Sequence, residues 1–172
     1  MKRTTTSQLV TASLLLAIGI LVPMIFHVFG VAGQTFLPMH IPIIIGGYIL
    51  APQLAFILGL LTPLLSSFLT SMPVLFPIAI IMMVELSCYG ITISVLTKVF
   101  KQNTMVTLII AMVVGRIMAG LTVYCLVLLF NIKMNPLLYV KAALITGLPG
   151  IIIQLILIPV LLQALKKIKI LK

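Results

Sequence analysis

Long apolar runs, separated by short polar or proline-containing breaks, make up almost all of this 172-residue sequence. A helix that crosses a lipid bilayer needs about 20 mainly apolar residues, and a tilted or partly buried helix needs fewer. Measured against that length, the runs predict six membrane segments in a single domain that covers residues 1–172. The segments are Gln8–Phe29, Pro38–Leu50, Leu54–Leu69, Leu75–Val99, Met105–Phe130 and Leu144–Leu165.

The scarcity of charged residues supports the same interpretation. Only 7% of the residues are charged, whereas 63% are hydrophobic. A soluble domain carries charge on roughly a quarter of its residues, so water is not the main solvent of this chain. We therefore predict an all-α integral membrane protein that forms a six-transmembrane-helix bundle.

The positive charges indicate how such a bundle is oriented, because cytoplasmic loops carry an excess of Lys and Arg. With six crossings, both termini share a side with the loop that follows the fourth segment, and the opposite side receives only Lys133 and Lys141. We expect both termini to be cytoplasmic, with the loops Gly30–Leu37, Ser71–Val74 and Asn131–Val140 facing outward. The basic residues on the cytoplasmic side are Lys2, Arg3, Lys98, Lys101, Lys166, Lys167, Lys169 and Lys172.

The net charge of +10 does not indicate a nucleic-acid partner. The charges lie at the chain ends and in one interior loop, between apolar runs, and do not form one basic face. This distribution is typical of topology determinants and of contacts with anionic lipid head groups. Membrane lipid is therefore a predicted partner, and nucleic acid is not.

Two charged residues lie near the middle of apolar segments. Glu85, the only acidic residue of the chain, falls in the fourth segment, and Arg116 falls in the fifth. A charge at mid-bilayer costs at least ~2.5–3.5 kcal/mol on insertion scales, so each group needs a partner, a water-filled cavity or a ligand. Glu85 and Arg116 either pair with each other or contact a substrate directly, and the two roles are compatible.

A small polar cluster, formed by His27, Gln34 and His40, flanks the first outward loop. The histidines either hydrogen-bond loop carbonyls at the membrane interface or bracket the metal of a tetrapyrrole. A metal site would need a third ligand, and no carboxylate or thiol is near in sequence. We predict no metal site and no cofactor.

Prolines interrupt most of the apolar segments. The backbone groups that they free are tolerated in a bilayer only where they are buried in protein or line a cavity. Several prolines crowd toward the expected outer half, which indicates a recessed outward-facing pocket, although ordinary kinks would give the same pattern. They are Pro38, Pro42, Pro52, Pro63, Pro73, Pro77, Pro149 and Pro159.

We expect the pocket to be roofed by the loop 33–36 and walled by the fourth, fifth and sixth segments. Small-molecule sites combine an apolar lining with a few polar groups that orient the ligand, and few such groups exist in these segments. The candidate substrate contacts are Gln34, His40, Glu85, Tyr89, Arg116, Asn131 and Gln154.

The motifs of enzymes and pumps are absent from the sequence. It contains no Walker A motif, no HExxH, no GxSxG and no paired carboxylates, which leaves few options for general acid–base chemistry. It also lacks the internal repeat of a self-sufficient secondary transporter. We predict that the protein is not an enzyme. A small intramembrane lipid-modifying enzyme and a purely structural assembly subunit remain the competing hypotheses.

Several motifs resemble those of the S components of energy-coupling factor (ECF) transporters. The likeness covers roughly residues 8–165. It rests on Phe36-Leu37-Pro38-Met39-His40-Ile41-Pro42, Gly46-Gly47, Pro52, Gly59, Thr62-Pro63-Leu64-Leu65-Ser66-Ser67, Met72-Pro73, Glu85-Leu86-x-x-Tyr89-Gly90, and Gly115-Arg116 with Gly120.

The resemblance implies a substrate-binding subunit of a prokaryotic vitamin importer, located in the plasma membrane. Such a subunit works with a transmembrane T subunit and two ATPases. The family docks on the T subunit through a small-xxx-small step of the first helix, and the matching residues are Ser13 and Ala17, where Ser13 replaces the usual Ala. Substrate is expected near the outer face, under the loop between the first two helices.

The segment from Leu37 to Pro42 is most similar to pantothenate-type and to hydroxymethylpyrimidine- or pyridoxine-type S components. S components for cobalamin or another tetrapyrrole are the near alternatives. Pantothenate carries a carboxylate that a buried Arg116 would suit, unless Glu85 neutralises that arginine. Pantothenate is therefore the first substrate hypothesis.

Overall fold

Helices form every regular element that the structure, a computed structural model, describes, namely residues 5–28 and 33–167. A kinked stretch at Leu75–Ala79, in which Phe76 has an extended backbone (φ −124°, ψ 130°), precedes the fifth helix. The helices are α1 (Thr5–Val28), α2 (Gly33–Phe36), α3 (His40–Ile49), α4 (Pro52–Thr70), α5 (Ile80–Lys98), α6 (Thr104–Phe130) and α7 (Pro136–Lys167).

Five of these helical stretches are long and apolar enough to cross a membrane. They correspond to the first, third, fourth, fifth and sixth of the segments that the sequence predicts. The second segment contains α3, which has only 10 residues. At about 1.5 Å per residue, α3 is about 15 Å long, half of a hydrocarbon core of about 30 Å. The sixth crossing and the side of the termini therefore stay predictions.

The helix ends gather at two opposite ends of the bundle. At the basic end, defined by the connections 50–51 and 99–103, the Tyr48 hydroxyl donates to the Thr104 carbonyl oxygen at 2.8 Å, and Gln8 Oε1 accepts from the Ala51 N–H at 3.0 Å. The cavity end is defined by the connections 37–39, 71–74 and 131–135. The chain thus runs back and forth between these two ends.

Helix α7 begins at Pro136, so the expected bounds of the loop Asn131–Val140 and the expected helix start at Leu144 are wrong. That this connection faces outward stays a prediction. Asn135 Oδ1 accepts hydrogen bonds from the N–H groups of Leu137 (3.0 Å) and Leu138 (3.1 Å), which is an N-cap. A proline directly after the cap suits the first helical turn, because that turn needs no N–H there. The Asn-Pro pair therefore starts the helix despite Lys141 in its second turn.

The packing of α3, α4, α5 and α6 depends on glycines. A Cβ at Gly59 would overlap the Leu86 backbone, and a Cβ at Gly90 would overlap the Ala55 carbonyl. Helices α4 and α5 therefore touch backbone to backbone at two levels. Gly115 leaves the space on α6 that the Tyr89 ring fills, and a Cβ on Gly47 of α3 would sit 2.7 Å from the Ile93 Cβ.

A second close approach joins α2 to α7. A Cβ at Gly150 would lie 2.8 Å from the backbone carbon and oxygen of Phe36. One turn earlier, a Cβ at Gly147 would lie 3.2 Å from Leu37 Cδ1 and 3.5 Å from Arg116 Nη2. The middle of α7, which also contains Pro149, thus supports the segment that leads into α3.

Candidate ligand-binding site

A cavity of about 490 Å³ lies at the cavity end of the bundle. Small-molecule sites usually measure ~300–1,000 Å³ and combine apolar walls with a few polar groups. All the long helices except α4 contribute to its wall, as do the connections 37–39 and 72–74. Its lining residues are Pro23, Leu37, Pro38, Met39, His40, Met72, Pro73, Val74, Ile78, Met82, Glu85, Arg116, Tyr139, Ala142, Ala143 and Thr146.

A buried ion pair forms the inner wall of the cavity. Arg116 Nη1 donates to Glu85 Oε1 at 2.7 Å, and the two residues are 8% and 2% exposed. The pair joins α5 to α6. Since a lone buried charge is strongly unfavourable, each partner offsets the cost of burying the other. Glu85 and Arg116 therefore pair with each other, and both residues also line the cavity.

His40 stands beside this pair at the first turn of α3. Its Nε2 lies 3.7 Å from Glu85 Oε1, which is too long for a hydrogen bond. Its ring packs edge-to-face against Tyr89, with ring centroids 5.3 Å apart. His40 is 2% exposed, and neither ring nitrogen has a hydrogen-bond partner among the described residues.

Arg116 keeps two unused donors. Its Nε and Nη2 atoms are buried and have no hydrogen-bond partner in the described part of the chain. These two nitrogens form the side-on edge of the guanidinium, the geometry that suits a carboxylate or another two-oxygen acceptor. Buried polar groups are nearly always satisfied, so an unused edge on a residue that lines the cavity indicates a ligand or ordered water.

The segment above the cavity is held from α7. The Leu37 carbonyl oxygen accepts from the His40 N–H at 3.0 Å and from Gln154 Nε2 at 3.5 Å. Leu37 has a left-handed backbone, with φ of 49°, which turns the chain from α2 into α3. Gln154 is fully buried and does not line the cavity. It therefore positions the segment 37–39 rather than the ligand.

The structure brings only some of the sequence-based candidates together. His40, Glu85 and Arg116 line the cavity, and Tyr89 packs directly behind His40. Asn131 is exposed at the C-cap of α6, where its N–H donates to the Val127 carbonyl oxygen, and it is not among the lining residues. The side chains of Gln34 and His27 lie outside the described part of the structure.

The sequence reasoning missed the contribution of the first half of α7. Tyr139, Ala143 and Thr146 line the cavity, and their spacing of four and three residues places them on one face of a helix. This stripe is visible in the sequence once the helix starts at Pro136. Placing residues 136–140 in a loop hid it.

A second groove lies on the outer surface between α6 and α7. It measures about 720 Å³, and its lining is apolar apart from Arg116 and two tyrosines, Tyr89 and Tyr124. Arg116 therefore lines both this groove and the cavity described above. Within the described residues, no group of three His, Cys, Asp or Glu side chains could hold a metal ion.

Long apolar helices around a small cavity with a few buried polar groups are typical of a membrane protein with a small-molecule pocket. The family model of the ECF transporter substrate-specific component matches residues 7–162, and the chain belongs to this family. It is thus an integral membrane protein and the substrate-specific subunit of an ECF transporter, a family that works with a T component and ATPases. No curated protein and no solved structure matched the chain.

Proposed function

We propose that the protein binds a water-soluble vitamin or vitamin precursor in the cavity and delivers it inward when coupled to a T subunit and two ATPases. Pantothenate is the first candidate. The observation that carries the proposal is the unused side-on edge of Arg116, a residue that lines a cavity of about 490 Å³. Because Glu85 engages only Nη1, pairing does not prevent the arginine from holding a carboxylate.

The cavity end faces outward in this proposal. Of the described residues, Lys98, Lys101 and Lys167 belong to the basic end, whereas Lys133 and Lys141 belong to the cavity end. An excess of positive charge marks the cytoplasmic side. Substrate then enters from outside a prokaryotic cell, and the segment from α2 through α3 serves as the second crossing.

The T subunit docks on the outer face of α1. Ser13 and Ala17 are exposed there, among apolar side chains such as Leu14 and Ile18. Ser13 Oγ donates to the Leu9 carbonyl oxygen at 3.0 Å, so the hydroxyl is satisfied within its own helix. A small-residue step on an apolar face lets a second helix approach closely in a membrane.

Mass spectrometry of small molecules released from the purified protein tests the proposal. We expect pantothenate, or another vitamin of similar size, in near-stoichiometric amount, and we expect co-purification of a T subunit and two ATPases from native membranes. Concentrative uptake by the isolated chain in liposomes would contradict the proposal. So would lipid-derived products in place of a bound vitamin, because they would indicate an intramembrane enzyme.

A further inference from the structure

The charges around the cavity balance before any ligand binds. Glu85 and Arg116 are the charged residues among the described lining residues, and they form one pair. A ligand carboxylate on the free edge of Arg116 would add a second negative charge to the same buried cluster. An uncompensated charge in such surroundings is costly, so an anionic ligand must arrive with, or recruit, one positive charge.

His40 is the group placed to supply that charge. Its Nε2 lies 3.7 Å from Glu85 Oε1, and both ring nitrogens lack partners among the described residues. A protonated imidazole has two N–H donors, so one N–H can donate to Glu85 and the other can donate to the ligand. The neutral ring offers one donor only, and it would leave the excess charge in place.

The other titratable groups that face His40 are less suited to this role. On α5, Tyr89 packs against the ring, and on α7, Tyr139 lines the same cavity. A phenol already carries its proton and cannot gain positive charge. The Glu85 carboxylate already accepts a hydrogen bond from Arg116 Nη1, whereas both ring nitrogens of His40 lack partners among the described residues. The described residues of α4 include no titratable side chain, and Lys133 and Lys141 belong to the cavity end but are not lining residues.

We propose that the ligand is a small carboxylate, held by the Nε/Nη2 edge of Arg116, and that its binding is coupled to the uptake of one proton by His40. This inference rests on the proposed function, and it names the chemical class of the ligand and a titratable partner. Affinity then falls as the pH rises, by up to about tenfold per pH unit where one proton is taken up per ligand.

Isothermal titration calorimetry of the full chain in detergent counts the protons. D-pantothenate is titrated at one pH in buffers that differ in ionisation enthalpy, and the slope of heat against that enthalpy gives the protons bound. We expect about one proton per pantothenate. Pantothenol, in which a hydroxymethyl group replaces the carboxylate, should bind more weakly and without proton uptake.

Two variants assign the proton to a residue. His40→Gln should abolish proton uptake and make any remaining pantothenate affinity independent of pH. Tyr124→Phe, which removes an exposed phenol that does not line the cavity, should keep the uptake of about one proton. Proton uptake that persists in His40→Gln would assign the proton to Glu85 and overturn the role of His40. Where His40→Gln does not fold, the proton count of the wild type still decides the coupling.

The outcomes separate this inference from the proposed function. Tight pantothenate binding without proton uptake in the wild type would overturn the coupling alone. Binding of pyridoxine or hydroxymethylpyrimidine in place of pantothenate would overturn the carboxylate assignment and leave a vitamin-binding subunit. If none of these vitamins binds and the purified protein releases none, the proposed function and this inference fall together.

Discussion

Arg116 reaches Glu85 with one of its three guanidinium nitrogens, Nη1, across 2.7 Å. The contact neutralises the acidic residue and fixes α6 to α5, while Nε and Nη2 stay unused among the described residues. The Nη1 end of Arg116 thus stabilises the bundle, and its Nε/Nη2 edge is available to bind a ligand. The two functions can be separated by mutation.

Arg116→Gln should lower both stability and affinity, whereas the double change with Glu85→Gln should restore stability only. Breaking a buried ion pair from one side costs ~3–5 kcal/mol because it strands the other charge, and the double variant strands none. Loss of a charge-assisted hydrogen bond to the ligand costs ~1.5–3 kcal/mol in both variants. Thermal unfolding and pantothenate titration in detergent measure the two effects. Full-affinity binding by a stable double variant would remove both residues from the site.

Gln154→Met should loosen the segment 37–39 with little loss of stability. The substitution keeps the volume but removes the donor to the Leu37 carbonyl oxygen, a contact of 3.5 Å. A neutral hydrogen bond contributes ~0.5–1.5 kcal/mol, so we expect the ligand to dissociate about 2- to 12-fold faster in stopped-flow measurements. Gln163→Met changes an exposed glutamine of the same helix and is the control. Identical rates in both variants would argue against a positioning role.

Gly150→Ala should destabilise the protein more than Gly147→Ala. The new methyl at 150 meets backbone atoms of Phe36 at 2.8 Å, which cannot rotate away, and overpacking of this kind costs ~1–3 kcal/mol. At 147 the nearest atoms belong to side chains, and the methyl covers Arg116 Nη2. We therefore expect Gly147→Ala to weaken pantothenate binding while the unfolding midpoint changes little. The reverse order of midpoints would contradict this packing.

Ser13→Leu and Ala17→Leu should each abolish transport and leave pantothenate binding nearly intact. Both positions are exposed, so the added bulk meets no other helix of the subunit, but it holds a docked helix away. Ile18→Leu, a substitution between large side chains on the same helix, should transport normally. Uptake by reconstituted complexes and binding by the isolated subunit are the two measurements. Equal loss of both activities would exclude docking as the cause.

Cysteine labelling tests the orientation of the bundle. In a variant with Cys88→Ala and Cys125→Ala, Lys133→Cys should react with an impermeant maleimide in intact cells. Lys101→Cys should react only after the membrane is opened, since it belongs to the basic end. Reaction of Lys101→Cys in intact cells would reverse the topology and place the cavity on the cytoplasmic side.

The helices could be predicted from the sequence more fully than their ends. Apolar runs locate α1, α4, α5, α6 and most of α7, because spanning helices need long apolar stretches. The start of α7 depends on the Asn135–Pro136 cap, a local hydrogen-bonding feature that hydropathy does not register. The polarity of Asn131 predicts a ligand contact, but this residue ends α6 in the left-handed conformation, with φ of 52°, which asparagine adopts readily.

Which side of each helix faces the cavity could not be predicted in the same way. In a soluble helix, an apolar stripe marks the buried side. Here both the protein-facing and the outer surfaces are apolar, so hydropathy does not show that Tyr139 and Thr146 turn toward the cavity. His40, Glu85 and Arg116 could be found because a polar or charged group in an apolar segment must be accommodated somewhere.

The glycine contacts described above hold four helices in close contact with one another. Gly59 and Gly90 bring the backbones of α4 and α5 together, and Gly115 and Gly47 seat α6 and α3 against the same helix. Sliding any of these helices would force atoms into overlap. His40, Glu85 and Arg116 all belong to this fixed group. Because these contacts hold the helices that carry them, a ligand meets polar groups whose spacing is set before it binds, which lowers the cost of ordering on binding.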